Sequence, residues 1–172
     1  MKEKPMTGPR VSDGADAPFT KVDGVFYRAV DPAYRDGALS GSRYPGRYSS
    51  AAQPTLYLSA SRDGVAAAMK AHSDNRSGRL EIVSVHVAAD RIFDLRDAPA
   101  LAAMGIRLED AVAPWQEVVA AGGTPTSWSV RDRLEALGAQ GLVDPSRKAP
   151  GLWHLVLFSW NQDDSPAVHV IG

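Results

Sequence analysis

Two short apolar runs, Val25 to Val30 and Thr55 to Ser59, are separated by a long stretch from Asp31 to Pro54 that is dense in Gly, Ser, Pro and Arg. Such composition favours loop over helix or strand. A loop this long in a compact domain usually carries function. The flanking runs are β-branched and aromatic and read as strands. Whatever the chain folds into must hold two strands whose connection is a large irregular segment.

The remaining elements follow unevenly. Ser61 is placed to cap a helix whose apolar face is Val65, Ala68, Met69 and His72. Leu80 to Val87 reads as a strand, and Ile92 to Leu95 as a further short one. Asp97 to Met104 reads as a short helix. Pro114 suits the first position of the next helix, which Gly122-Gly123 stops. Ser129 is expected to cap a helix with Val130, Leu134 and Leu137 on its apolar face, ended by Gly138. Gly141 to Ser146 reads as an exit into a loop, Leu152 to Trp160 as a strand, and Ala167 to Ile171 as a last one. This order is α+β or mixed α/β, without clean βαβ alternation. Met1 to Thr20 has no periodicity and reads as an irregular N-terminal arm, leaving one domain over 21–172.

With 172 residues, 44% hydrophobic, the chain is long enough for a single ordinary core. Its 19 basic and 20 acidic residues give a formal charge of -1, which argues against binding driven by nucleic-acid phosphates or a polybasic grip on membranes. The absence of Cys removes disulfides, thiolate catalysis and Cys-rich zinc sites. The four His show no metal-ligand spacing, so no metal is expected. There is no apolar run of membrane-spanning length and no signal peptide, so a cytoplasmic protein is expected. Neither a P-loop, nor a dinucleotide fingerprint, nor a nucleophile elbow is present.

What remains is polarity in unusual places. Arg28 interrupts an apolar strand, where a guanidinium must be paired or aimed into a cavity. A structural ion pair and an anion site both satisfy that requirement. Arg43, Tyr44, Arg47 and Tyr48 in the long loop suit a phosphate beside a flat ring, or are a solvated loop. Tyr57 in the second strand and Ser146 after Pro145 are ordinary strand and turn residues unless context makes them more.

The order Phe26-Tyr27-Arg28-Ala29-Val30, Gly46-Arg47-Tyr48, Leu56-Tyr57-Leu58-Ser59, Gly141-Leu142-Val143-Asp144-Pro145-Ser146 and Leu155-Val156-Leu157-Phe158 resembles the RES domain, named for an Arg, a Glu and a Ser. The resemblance spans about Val25 to Phe158. It implies a single α+β domain like that of ADP-ribosyltransferases, a small split, mostly antiparallel β-sheet flanked by helices around an NAD cleft. It implies the toxin of a type II toxin–antitoxin pair, consuming NAD as substrate, without metal, by ADP-ribosyl transfer to a protein or by glycohydrolysis or phosphorolysis. The implied partners are an antitoxin carrying a helix-turn-helix domain and, for ADP-ribosyl transfer, a protein acceptor of ADP-ribose. The catalytic set implied is Arg28, Tyr57 and Ser146, and the cofactor-binding set Arg28, Arg47, Tyr48, Tyr57 and Ser146, with a tyrosine ring stacked on nicotinamide.

The sequence departs from the family at its Glu. That position falls on Ala68, Met69 or Lys70, and no carboxylate stands between Asp63 and Asp74. Asp63, Glu81 and Glu109 are the acidic residues that could substitute. Pro45 and Tyr48 also depart from the family's Gly and Trp. A catalytically degenerate module that binds NAD or a protein is therefore a second reading.

Overall fold

A computed structural model describes residues 9–13, 18–71, 80–145 and 151–171. Seven strands and five helices follow in the order β1 (Arg10–Asp13), β2 (Thr20–Val30), a 3-10 turn (Pro32–Gly37), β3 (Leu56–Ser59), α1 (Arg62–Ala71), β4 (Glu81–Asp94), α2 (Ala98–Met104), α3 (Leu108–Val112), α4 (Gln116–Ala120), α5 (Thr126–Ala136), β5 (Gly141–Pro145), β6 (Trp153–Leu157) and β7 (Ala167–Val170). The domain is α+β, as the element pattern implied.

The strands lie in the order β1-β2-β3-β6-β5-β4-β7, and β2 also pairs with β4. The pairings β2–β3–β6–β5–β4–β2 therefore close into a ring. Every pair is antiparallel except β4–β5, which is parallel. The ring has an extensive seam, β2 with β4, and two short junctions. One joins Ile92–Asp94 to Gly141–Val143, and the other is the single pair Tyr27↔Ser59. Beyond Tyr27, residues Arg28, Ala29 and Val30 pair only with β4, so the sheet splits there.

Strand alternation sorts the apolar side chains into two cores. One gathers Phe26, Leu56, Leu58, Val83, Val85, Val143, Leu155 and Leu157. Their neighbours Phe93, Leu142 and Val156 face the other way, against Leu101, Ile106, Ala111, Val130 and Leu134 beneath the helices.

Several elements differ from expectation. Arg10–Asp13, in the stretch read as an irregular arm, forms β1 against Thr20–Asp23. Its short polar sequence has no period of its own, and the edge of β2 supplies the structure. β4 is one strand of 14 residues where two were expected. α3 was not expected: five residues are too few to show a helical period. Trp115, not Pro114, flanks the start of α4. α5 begins at Thr126 behind Pro125, which puts Ser129 inside the helix rather than at its cap. Gly141–Pro145 is β5 and not a loop exit, since Leu142 and Val143 each enter one of the two cores. Ser61 does cap α1, its Oγ accepting from the Gly64 amide at 3.0 Å. His72 and Asp74 lie outside the described residues.

Candidate functional site

Arg28 stands at the split. Strand alternation puts it on the face of Phe26 and Val30, both buried in the first core. Its Nε is buried without a hydrogen-bond partner among the described residues. Burial pulls the guanidinium pKa below its usual value. A partly desolvated cation left unpaired is costly, and an anion delivered to it would offset that cost. Of the two readings the sequence left open, the ion pair finds no carboxylate among the described residues.

The long loop is ordered by a clamp of buried polar groups. Gly46 and Ser49 bridge each other. The Tyr48 amide donates to Tyr57 Oη at 3.1 Å, and Ser49 Oγ lies 2.7 Å from the same oxygen. A Cβ on Gly46 would sit 2.6 Å from Tyr57 Oη, so only glycine fits there. Tyr48 is fully buried and its hydroxyl donates to Asp144 Oδ1 at 2.6 Å. Burial first, and then the negative Asp144, push the Tyr48 phenol pKa well above its usual value. Burial raises that of Tyr57 as well.

Helix α5 holds this clamp from behind. Arg131, 3% exposed, donates from Nη1 to the Tyr48 carbonyl at 3.0 Å and to Thr55 Oγ1 at 2.7 Å. Its Nε pairs with Glu135, and its guanidinium lies over the Phe158 ring. Ser127 Oγ donates to the Arg47 carbonyl, and Trp128 Nε1 to that of Gly46 at 2.8 Å. Arg47 in turn donates to the Ala113 carbonyl at 2.9 Å. None of these α5 residues was singled out from sequence. A signal existed: Ser127, Val130, Arg131 and Leu134 follow helical face spacing, which puts two polar residues on a buried stripe.

The structure thus brings Arg47, Tyr48 and Tyr57 together and leaves Arg28 on another strand. Tyr48 presents no ring face to a ligand, and Arg47 is engaged with backbone carbonyls, so both frame the loop. Tyr57 is partly buried against the second core. Arg43 and Tyr44 are exposed. Ser146 lies outside the described residues. Two further polar residues share the face of Tyr57: Ser59 Oγ lies 2.9 Å from His154 Nδ1, and burial lowers the His154 pKa.

An open cavity of about 780 Å³ lies between β2 and the start of α1. It is lined by Arg10, Asp23, Tyr27, Ser61, Arg62 and Asp63 among others, and by none of Arg28, Arg47, Tyr48 and Tyr57. No group of three or more His, Asp or Glu residues with metal-binding geometry occurs among the described residues. No described helix is long and apolar enough to cross a membrane.

Comparison with known proteins gives two findings. A family model, the RES domain, matches residues 25–171. A chain of the crystal structure of the M. tuberculosis MbcT–MbcA toxin–antitoxin complex shares the fold with a TM-score of 0.55 at 15% identity, over 96% of this chain and 87% of that one. No curated protein matches the sequence.

Proposed function

Because the chain belongs to the RES domain family, we propose that it is the toxin of a type II toxin–antitoxin pair and that it acts by consuming NAD. The observation that carries this reading is the buried, unpartnered Nε of Arg28 at the split of the sheet. The pyrophosphate of NAD is the anion such a guanidinium suits, since planar paired donors match phosphate oxygens.

The chemistry asked of the protein is modest. Cleavage of the nicotinamide–ribose bond sends its electron pair to the pyridinium, so nicotinamide leaves neutral and needs no strong general acid. The ribose is left oxocarbenium-like, and water, phosphate or a protein side chain adds to it. The site must hold the pyrophosphate, orient the ring and favour the cationic ribose. Arg28 binds phosphate in this reading. Tyr57 offers its ring to nicotinamide, and Ser146 a hydroxyl to the ribose or carboxamide. Arg47 and Tyr48 contribute by fixing the loop. The partner is an antitoxin with a helix-turn-helix domain, and a protein acceptor follows if ADP-ribose is transferred.

Mass spectrometry of NAD incubated with pure protein, with and without phosphate, tests the reading. We expect loss of NAD, and in Arg28→Ala an NAD affinity reduced by about 10- to 100-fold, as for a charge-assisted contact. That variant should unfold no earlier than the parent, because it removes a partly desolvated guanidinium whose Nε has no partner among the described residues. Intact NAD, with no ADP-ribose on any lysate protein, refutes the enzyme. One observation favours a binding module instead: α1 carries no carboxylate after Asp63. Calorimetric NAD binding without turnover would support that module.

A further inference from the structure

The carboxylate that the family's motif requires is missing from its place, and three acidic residues could stand in for it. The structure separates them. Glu81 pairs with Arg35 at 3.5 Å on the surface, and Glu109 is 75% exposed beside Arg107; neither lines the cavity. Asp63, in the first turn of α1, lines the cavity of about 780 Å³ and makes no ion pair among the described residues. The other carboxylate there, Asp23, faces His86 at 3.1 Å.

The rest of the lining suits a nucleotide. Arg62 and Arg10 bring two guanidinium groups, and the Arg62 guanidinium lies 5.1 Å above the Tyr27 ring, a cation–π arrangement that fixes both. The volume falls in the range of small-molecule and cofactor sites. Tyr27 and Arg28 are successive residues and face opposite sides of β2. From Arg28 onward that edge of β2 has no strand beside it. Arg28, facing the other side of β2, stands outside the lining, and the cavity itself offers a ligand Tyr27, Arg62 and Asp63.

We propose that this cavity seats the nucleotide and that Asp63 supplies the carboxylate that accepts hydrogen bonds from its ribose hydroxyls. The assignment rests on the NAD reading above. Asp63 lies at least five residues before the family's Glu position, about a turn and a half of helix. The ribose accordingly sits toward the N-terminal end of α1, where the cavity opens.

The test compares the full chain with Asp63→Asn, Asp63→Glu, Arg62→Ala and Glu81→Gln, measuring NAD affinity by calorimetry and NAD loss by mass spectrometry. Asp63→Asn should weaken NAD binding about tenfold and slow any turnover at least as much. Asp63→Glu should restore most of both, and Arg62→Ala should weaken binding about tenfold. Glu81→Gln should match the parent. Thermal melts within a few degrees of one another exclude misfolding as the cause. Parental affinity and turnover in Asp63→Asn overturn the assignment while leaving the NAD reading intact. A parent that neither binds nor consumes NAD overturns both, and the absence of binding in Arg28→Ala alone leaves Asp63 outside the site.

Discussion

At the scale of single residues, the loop clamp depends on one missing methyl group. Gly46→Ala places a Cβ 2.6 Å from Tyr57 Oη, and relieving that contact should cost about 1–3 kcal/mol of stability by urea unfolding. Tyr57→Phe removes the oxygen and strands the Tyr48 amide and Ser49 hydroxyl, which should cost about as much. The double variant should lose less than the sum, and additivity in that cycle would disprove the contact. Legibility was uneven at this scale. Arg28 stood out because charge is rare inside an apolar strand. Tyr57 and Tyr48 could be named, but their division of labour could not. Which tyrosine is buried depends on Asp144, far along the chain from the loop. Arg131 was missed because a basic residue on a helix reads as solvated until a partner is known to face it.

At the scale of elements, α5 is the back wall of the site. Arg131→Ala removes two donors to the loop and leaves Glu135 without its partner. A loss of about 2 kcal/mol is expected, mainly from the buried Tyr48 carbonyl and Thr55 hydroxyl left without their donor. Limited proteolysis should then cut between Gly41 and Pro54 before global unfolding. Cleavage elsewhere first would mean that α5 does not hold the loop. The elements with a strong period were readable from sequence, namely β2 from Val25 onward, β3, the start of α1 and the first half of β4, whereas the first half of β2, Thr20 to Gly24, was not. β5 was not, because its Leu142 and Val143 serve opposite cores and its Gly141 and Pro145 look like turn chemistry. The continuity of β4 was hidden too, since Ala88, Ala89 and Asp90 break the apolar alternation at the point where β4 leaves β7 and reaches β5.

For the whole molecule, two groups, partly buried His154 and buried Tyr48, make stability depend on pH at its two ends. Burial lowers the His154 pKa, so the unfolded chain takes up a proton first as pH falls. Stability that is complete above about pH 6.5 is lost on acidification below it. Tyr48 acts at the other end. Its raised pKa means that the unfolded chain ionises first, so stability declines as pH rises past about 10. Denaturant midpoints across pH should show both flanks, and His154→Gln should flatten the acid one. An unchanged acid flank in that variant would exclude His154 as its source. Composition anticipated the single domain. It could not anticipate the closure of the sheet, which depends on pairings between residues as distant as Leu56 and Leu157.

The closed ring also sets when the fold can exist. β6 is the strand that joins β3 to β5, and it is made after every other member of the ring. Chains emerge from the ribosome N-terminus first. Until Trp153–Leu157 has left it, β3 has only its one-pair junction to β2, and the ring stays open between β3 and β5. A chain interrupted before Trp153 therefore cannot close the ring.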